Sequence, residues 1–260
     1  MPNWIKNKII VGKKEYIDIL VNKYCIYDEK FDKYDLDFNK VIKMPNDLNI
    51  EFSSVSEKGL CLYLTMINPK VNYFGKTEDK YSTDEYDTLI HKLNNHFIVN
   101  DKNIIYTSNQ VEEILNEDPN YKNKLLKLGK QQIENLLKYN ALNWYEWSIN
   151  NWGCKWNATN FEIIDKCKGI LFETPWDPPI PIILEISRQN PDIKIAFLYS
   201  DEEIGYNVGY VLCSKGKIDF KGNFKDGTKD AYLLAFDLWG CKDDYIYDKD
   251  KNTYVFNKYC

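Results

Sequence analysis

The sequence of 260 residues lacks the short motifs by which most enzymes are recognised. It contains no Gly-x-Ser-x-Gly, Walker loop, Gly-x-Gly-x-x-Gly, His-Glu-x-x-His or zinc-deaminase signature. Its two histidines, His91 and His96, lie five residues apart on a predicted helix, whereas two helical ligands of one metal are usually three or four apart. The sequence therefore predicts no catalytic residue, no metal site and no cofactor, and leaves open only an enzyme of a new type.

Close cysteine pairs and long apolar runs are also absent. The seven cysteines are scattered and include no Cys-x-x-Cys, which argues against a disulfide framework and against a tetrahedral zinc site. No stretch of about 18 apolar residues is present to form a transmembrane helix, and residues 1–6 lack the apolar segment of a secretory signal. We expect a cytoplasmic protein with reduced cysteines and no membrane partner.

Positive charge is in short supply as well. With 34 Lys and Arg against 39 Asp and Glu, the net charge is -5, so the chain lacks the basic surface that coats nucleic acid without sequence preference. Apolar material is plentiful, since 44% of the residues are hydrophobic and 15% are aromatic. This composition is sufficient to bury a sizeable core in one large domain or two smaller ones.

Alternating and helical patterns predict a mixed α+β fold. A β-rich segment over 4–11 is followed by a helix over 15–24 and an extended stretch over 36–45. After residue 142, the pattern predicts strands over 159–165, 169–174, 193–200, 205–214, 217–223 and, at an edge, 253–256, with helices over 179–189 and 230–238. Together the two parts give the order β-α-β-β-α-β of a ferredoxin-like fold, with both parts in one sheet.

Residues 46–142 are predicted to form a large helical insertion. Helices are expected over 83–97, 110–116 and 121–142, and the last has an apolar stripe that includes Leu125 and Leu136. Its lysines form either a basic strip or a solvated helix face: Lys122, Lys124, Lys127 and Lys130. The predicted domains are a ferredoxin-like sandwich of 1–45 plus 143–225, the insertion 46–142, and a C-terminal extension 226–260. A domain boundary near residue 140 is the alternative.

Tryptophan is concentrated in one segment, where four of the seven Trp residues lie between positions 144 and 157. Its end, WGCKWN over 152–157, forms either a ligand platform or part of the core. In a platform, Trp152 and Trp156 would stack on a planar group, Lys155 would meet a phosphate and Asn157 would bind polar edges. In a core, the rings would be anchors, Gly153 would end a helix and Asn157 would hold a loop. Core packing gives no reason for a Lys between two indoles.

Two loops are predicted to contribute to the same ligand-binding cleft as the segment 152–157. Trp176 precedes a proline-rich helix entry, where an anion could bind, and Tyr206 follows the acidic segment 201–203. That segment is either a polar hairpin tip or a site for a hard cation or a general base. The predicted ligand site consists of Trp152, Lys155, Trp156, Asn157, Trp176 and Tyr206.

These segments resemble the YubB-like ferredoxin-fold family, which includes the Api92-like proteins of phages and plasmids. The matching stretches are 1–4 with Asn7, 36–45, 144–158, 172–179 and 199–205, and the block 144–210 is the most specific. The insertion matches loosely, residues after 225 do not match, and Cys154 stands where the family more often has Thr. The resemblance implies a ferredoxin-like fold and a mobile-element origin, and it implies no established activity.

The leading hypothesis is a non-catalytic phage or mobile-element protein of the host cytoplasm that binds a small nucleotide-like or otherwise anionic planar ligand. Sequestration of a host antiviral signalling nucleotide would suit such a site. One alternative is a nucleic-acid or protein interaction module, in which the insertion binds a partner such as a host protein. A second is a metal-dependent nucleotide hydrolase that uses Asp177 or Glu203. The sequence predicts neither the ligand's identity nor the oligomeric state.

Overall fold

A computed structural model describes residues 2–67, 118–164 and 169–257. In chain order its elements are β1 (Trp4–Val11), α1 (Lys14–Tyr24), β2 (Cys25–Asp28), β3 (Lys33–Leu36), α2 (Ser54–Ile67), α3 (Pro119–Tyr139), α4 (Trp144–Trp152), β4 (Thr159–Ile164), β5 (Gly169–Pro175), α5 (Ile180–Gln189), β6 (Ile195–Asp201), β7 (Gly209–Ser214), β8 (Lys217–Asn223), α6 (Lys229–Trp239), β9 (Tyr245–Asp248) and β10 (Thr253–Phe256). Short 3-10 turns occur at Phe38–Lys40, Asn46–Leu48 and Lys242–Asp244. The helices predicted over 83–97 and 110–116, and both histidines, lie outside the described residues.

The chain divides into two compact units. Met1–Lys43 and Ser148–Cys260 together form the first, here called the sheet unit, and Met44–Trp147 forms the second, the helical unit. The predicted domain boundaries after residues 45, 142 and 225 stay predictions. Within the part of the chain that the structure describes, no helix is long and apolar enough to cross a membrane.

The sheet unit contains a six-stranded antiparallel sheet in the order β4-β5-β1-β6-β7-β8. The N-terminal strand β1 lies in the interior of this sheet, where Ile9 is opposite Ile170 of β5 on one side and Phe197 of β6 on the other. The first four strands of this order, with α1 and α5, form the ferredoxin-like β-α-β-β-α-β arrangement. This confirms the predicted fold class and the prediction that distant parts of the sequence share one sheet.

The alternation of side chains along β1 determines what each face of the sheet contacts. Ile5, Ile9 and Val11 point to one face and are at most 2% exposed, which makes this face the main apolar core. Lys6 and Lys8 point to the other face, where they meet α6. The Lys8 Nζ atom lies 2.8 Å from the Asp237 carboxylate, and the Lys6 Nζ atom lies 4.6 Å from the centre of a Trp239 ring.

In the helical unit, α2 and α3 pack with their backbones in contact. A Cβ atom added to Gly129 would lie 2.0 Å from the Gly59 carbonyl oxygen, so only glycine fits at this point of α3. Further along the two helices, the Gln132 side chain donates a 2.7 Å hydrogen bond to the Ser56 carbonyl oxygen. The Asp118 carboxylate caps α3 by accepting from two backbone N–H groups of its first turn.

One sequence-based expectation about the segment after α1 is wrong. The stretch 36–45 is not extended, because Phe38–Lys40 forms a 3-10 turn that the Asp37 carboxylate caps by accepting from Asn39 N at 3.0 Å. The segment before it forms an unpredicted hairpin of β2 and β3. The predicted edge strand over 253–256 is present as β10, which pairs with β9 in a separate two-stranded sheet.

Candidate functional site

The tryptophan-rich segment begins as helix α4 and ends in a tight loop. Gly153 has φ +83°, and its N–H donates to the carbonyl oxygens of Ser148 and Ile149, which ends the helix. A Cβ at this position would lie 2.7 Å from Cδ of Pro181, so the loop packs closely against the start of α5. Gly153 therefore serves as a helix end and a point of close packing.

Trp152 lies in the core. Its side chain is 5% exposed, its Nε1–H donates a 2.9 Å hydrogen bond to the Ile42 carbonyl oxygen, and its ring meets Phe38 edge-on at 5.8 Å. A ring in this position has no face left for a ligand. The structure thus supports the core interpretation of Trp152, and we remove it from the candidate site.

Lys155 and Trp156 form a pair of their own. The Lys155 Nζ atom lies 4.7 Å from the centre of the Trp156 ring, a cation-π distance. The Ser148 hydroxyl fixes the backbone here by donating to the Lys155 carbonyl oxygen at 2.7 Å. A Lys between two indoles is therefore explained by contact with its neighbouring ring, and a role of these two residues in ligand binding stays a prediction.

Asn157 holds two distant loops together. Its Oδ1 atom accepts from Phe38 N at 2.8 Å and Ala158 N at 3.1 Å, and its Nδ2 donates to Asp37 Oδ1 at 2.9 Å. These are the contacts expected of a residue that fixes a loop, the alternative role considered from the sequence. The amide nitrogen and oxygen are both engaged, so direct hydrogen bonding from Asn157 to a ligand stays a prediction.

Trp176 and the loop of Tyr206 flank the start of β1. The Trp176 N–H donates to Asn3 O on one side of the strand, and the N–H of Glu202 donates to Trp4 O on the other. Trp176 and Tyr206 are 47% and 41% exposed. Trp176 also has φ +70°, an unfavourable backbone conformation for a large side chain. The two rings are accessible, but they lie at the end of the sheet.

A cavity of about 310 Å³ lies beside the loop of Asn157. We call it the hairpin cavity, because the β2–β3 hairpin forms one wall and the segment that enters β4 forms the other. It is lined by Ile26, Lys33, Asp35, Leu36, Asp37, Asn157, Ala158, Thr159 and Asn160. Of the six predicted site residues only Asn157 is among these, so the structure does not bring the predicted set together.

Side-chain hydrogen bonds organise the polar lining of the hairpin cavity. Lys33 and Asp35 form an exposed ion pair with an N–O distance of 3.1 Å. The Asn160 Nδ2 atom donates to Glu173 Oε2 at 2.6 Å, and Glu173 Oε1 lies 3.1 Å from Lys6 Nζ. The Thr159 hydroxyl is buried and has no hydrogen-bond partner among the described residues.

Two titratable groups outside the hairpin cavity, Asp177 and Cys154, have raised pKa values. Desolvation raises the pKa of the Asp177 carboxyl, and the charge of Asp201 raises it further. Burial also raises the pKa of the Cys154 thiol, with a smaller contribution from Asp177. This thiol is 1% exposed and protonated at neutral pH, so it is no nucleophile.

In the described ranges, no three His, Cys, Asp or Glu side chains lie close enough together to hold a metal ion.

The hairpin that forms half of the cavity was not predicted from the sequence. A signal for it exists: Asp28-Glu29-Lys30 separates two short β-prone runs, and Tyr27 directly faces Tyr34 across the hairpin with their ring centres 5.1 Å apart. The aspartates that line the cavity, Asp35 and Asp37, fall in or after this hairpin. Their pairing with residues 157–160 depends on tertiary contacts and has no local sequence signal.

Comparison with known proteins gives a match for the C-terminal part of the chain. Residues 151–257 match the model of a family described as the ferredoxin-like domain in Api92-like protein. The match includes most of 226–260, which the sequence-based resemblance left out. No curated protein matches the chain. A solved structure, of a protein api92 from Yersinia pseudotuberculosis, is 13% identical over 87% of this chain and 99% of that one, with a TM-score of 0.36.

The family match confirms the resemblance to Api92-like proteins that was seen in the residues. It covers α4's last turn, the loop of Asn157 and the strands β4 to β8, and it continues through α6 to the β9–β10 hairpin. Residues 151–257 of this chain are therefore similar to the ferredoxin-like domain in Api92-like proteins.

Proposed function

We propose that the chain is a non-catalytic binding protein whose ligand site is the hairpin cavity. The observation that carries this proposal is the cavity itself, a concave space with an apolar wall of Ile26, Leu36 and Ala158 and polar groups around it. Ligand sites usually combine these two kinds of lining, and their volumes run from about 300 to 1,000 Å³. The hairpin cavity lies at the small end, which suits a ligand of nucleoside size better than a dinucleotide.

The charge of the lining changes the ligand expected from the sequence. One lysine, Lys33, stands against two aspartates, Asp35 and Asp37, so the lining carries a net negative charge. A phosphate would be repelled inside such a space. We therefore propose that the flat, uncharged part of a nucleotide-like ligand enters the cavity and that any phosphate stays at the rim, near the exposed ammonium group of Lys33.

Sequestration of a host antiviral signalling nucleotide is the biological role that we propose for this site. It is supported by the mobile-element origin that the family resemblance implies. It also agrees with a site that binds its ligand by shape and hydrogen bonds, without a nucleophile or a metal cluster in the described residues. A host cell expressing the chain would then respond less strongly to the nucleotide signal.

Calorimetry with adenosine, cytidine, a cyclic mononucleotide and ADP-ribose tests the binding site. Ile26→Trp would fill the cavity, whereas Tyr27→Trp is a matched change at the next hairpin position, which is equally exposed and does not line the cavity. We expect Ile26→Trp to abolish binding and Tyr27→Trp to preserve it. The absence of heat from every compound, with folded wild-type protein, would refute the proposed function.

A protein interaction module is the second candidate, and one surface favours it. Leu212 and Phe220 face each other on β7 and β8 and are 40% and 54% exposed. The Phe220 ring also stacks on Tyr210 with ring centres 5.7 Å apart. A host protein that co-purifies with the wild type, with the cavity variant Ile26→Trp and not with Phe220→Asp would establish this function.

A further inference from the structure

The face of the six-stranded sheet that carries Lys6 and Lys8 also carries an unbroken row of apolar residues. Strand pairing places one residue from each of the six strands side by side in this row: Ile164, Gly169, Ile10, Ala196, Leu212 and Phe220. The row lies on the face of the two lysines because side chains two residues apart on a strand point the same way. Neighbouring strands lie about 4.8 Å apart, so this apolar row is about 24 Å long.

The apolar row is open, whereas the opposite face of the same strands is closed. In the row, Leu212 and Phe220 are 40% and 54% exposed, and three other members are partly exposed. On the opposite face, Ile9, Phe197 and Val211 are at most 1% exposed. The solvent face of an antiparallel sheet usually carries polar side chains. Apolar residues in a continuous row on such a face indicate a surface that a partner covers.

Helix α6 borders the apolar row on one side with carboxylates. Its Asp237 contacts Lys8, the nearer of the two lysines to the row, whereas its Trp239 contacts Lys6. Positions seven apart on a helix share one side, so Asp230 lies on the same flank as Asp237, the flank that faces the row. Both aspartates are exposed. This border of the row is therefore acidic.

The other border of the apolar row is basic. Lys217 is opposite Ser214, which lies two residues beyond Leu212 on β7, and Lys194 lies two residues before Ala196. Both lysines are exposed, and the alternation of strand residues places them on the face of the row. An apolar centre between an acidic and a basic border is complementary to a copy of itself after a half-turn.

We propose that the apolar row packs against the same row of a second copy of the chain, about a two-fold axis that runs along the row. The half-turn brings the lysine border of each copy to the α6 carboxylates of the other, where opposite charges attract. It also avoids a collision. Two packed sheets lie about 10 Å apart and a helix is about 10 Å in diameter, so each α6 fits beside the sheet of the other copy only if the two helices lie at opposite borders.

This interface is separate from the proposed ligand site. None of the six residues of the apolar row lines the hairpin cavity. The inference therefore does not depend on the proposed function, and calorimetry with nucleosides tests the one without testing the other.

Leu212→Asp tests the apolar contact, with sedimentation velocity of the full chain over a range of concentrations as the measurement. We expect the wild type to be a dimer and the variant to have a dissociation constant at least about tenfold higher, because a carboxylate would be buried among apolar side chains. Ile218→Asp is the matched control. Ile218 is 45% exposed, and its position opposite Cys213 places it on the other face of the sheet, so its replacement should leave the dimer intact.

Two charge variants test the borders and do not depend on whether Leu212→Asp folds. One chain carries Lys194→Asp with Lys217→Asp, and the other carries Asp230→Lys. Each variant alone brings like charges together and should associate more weakly than the wild type. An equimolar mixture brings the unchanged lysines of one chain to the unchanged carboxylates of the other and should associate more tightly than either variant alone.

Four results would overturn the inference. They are a wild-type chain that is monomeric at every concentration, a dimer unchanged by Leu212→Asp, a dimer lost equally in folded Ile218→Asp, and a mixture of charge variants that associates no better than its components. A monomeric wild type that retains a host protein, with the host protein lost in Phe220→Asp, would also overturn it and would assign the apolar row to that partner.

Discussion

The Asn157 side chain donates a 2.9 Å hydrogen bond to Asp37 across 120 residues of sequence. Through its other amide atom it also accepts from the backbone of Phe38, the next residue along. One side chain thus fixes the turn after β3 to the segment that enters β4, and these are the two walls of the hairpin cavity. The integrity of the site depends on this pair.

Asn157→Ala should therefore affect both stability and binding. Loss of the amide leaves Phe38 N and one Asp37 oxygen without their partner, which costs about 1–3 kcal/mol in the free energy of unfolding. Urea denaturation measures this, with Asn150→Ala on the exposed side of α4 as the control, expected to change stability by at most about 0.5 kcal/mol. Equal stability of the two variants would contradict the structural role and favour direct ligand contact.

Replacement of Trp152 by Ala should lower the free energy of unfolding much more than replacement of Trp176 by Ala. Trp152→Ala empties a buried space and removes a hydrogen bond to Ile42, so we expect a loss of about 3–5 kcal/mol. Trp176→Ala removes a ring that is 47% exposed, and we expect a loss below about 1 kcal/mol. Thermal or urea unfolding of the two variants and the wild type measures both losses. A small effect at Trp152 would mean that its ring is free for a ligand.

Asp177→Asn should stabilise the protein at neutral pH. The pKa of Asp177 is raised above its ordinary value of 3.8 in the folded state, so its ionised form is disfavoured there. Stability is therefore lost as the pH rises from 3.8 through the folded pKa, and this loss is absent in the Asn variant. The gain at pH 7 should not exceed about 1 kcal/mol because the residue is exposed, and it should vanish below pH 3.8.

Urea midpoints of wild type and Asp177→Asn between pH 3.5 and pH 7 check this dependence. Asp192→Asn makes the same charge change at an exposed position of the sheet unit and is the control. A gain that is the same at all pH values, or that appears equally in Asp192→Asn, would show that the effect is not due to the pKa of Asp177.

Gly129→Ala should disrupt the pairing of α2 and α3 in the helical unit. The added Cβ would lie 2.0 Å from the Gly59 carbonyl oxygen, so the two helices must separate. Forced expansion of this kind usually costs about 1–3 kcal/mol, which exceeds the gain in helix propensity from Gly to Ala. Gly12→Ala, where nothing lies within 4 Å of the new Cβ, should be close to neutral. Circular dichroism during urea unfolding measures both.

Much of the fold was predictable because local composition indicates where strands and helices begin and end. The β-rich run over 4–11, which stops at Gly12, predicted β1, and the proline-rich entry to 179–189 predicted α5. The β2–β3 hairpin was missed because Ile26 and Tyr27 are both about half exposed, so no clear inward face exists. The sequence around Phe38 is typical of an extended segment, which is why 36–45 was predicted to be extended. Its burial depends on tertiary contacts with Trp152 and Phe172.

The candidate site was predictable only in part, for a related reason. Asn157 could be singled out from its place after Trp156, but nothing in the sequence indicated that its partner is Asp37. Lys155 seemed to need a ligand because its contact with the Trp156 ring is invisible without coordinates. A cavity made by residues 26–37 and 157–160 is a property of the tertiary structure, and the residue pattern alone could not reveal it.

The interior position of β1 also sets the order of events during synthesis. Both neighbours of this strand are made much later, and Ile5 pairs with Asp201, about 200 residues further along the chain. Until β5 and β6 leave the ribosome, the first strand has no place in a sheet, and its apolar side chains remain available to chaperones or to other chains. The sheet unit is therefore expected to fold only after β6 has been synthesised, and β1 is most vulnerable to aggregation until then.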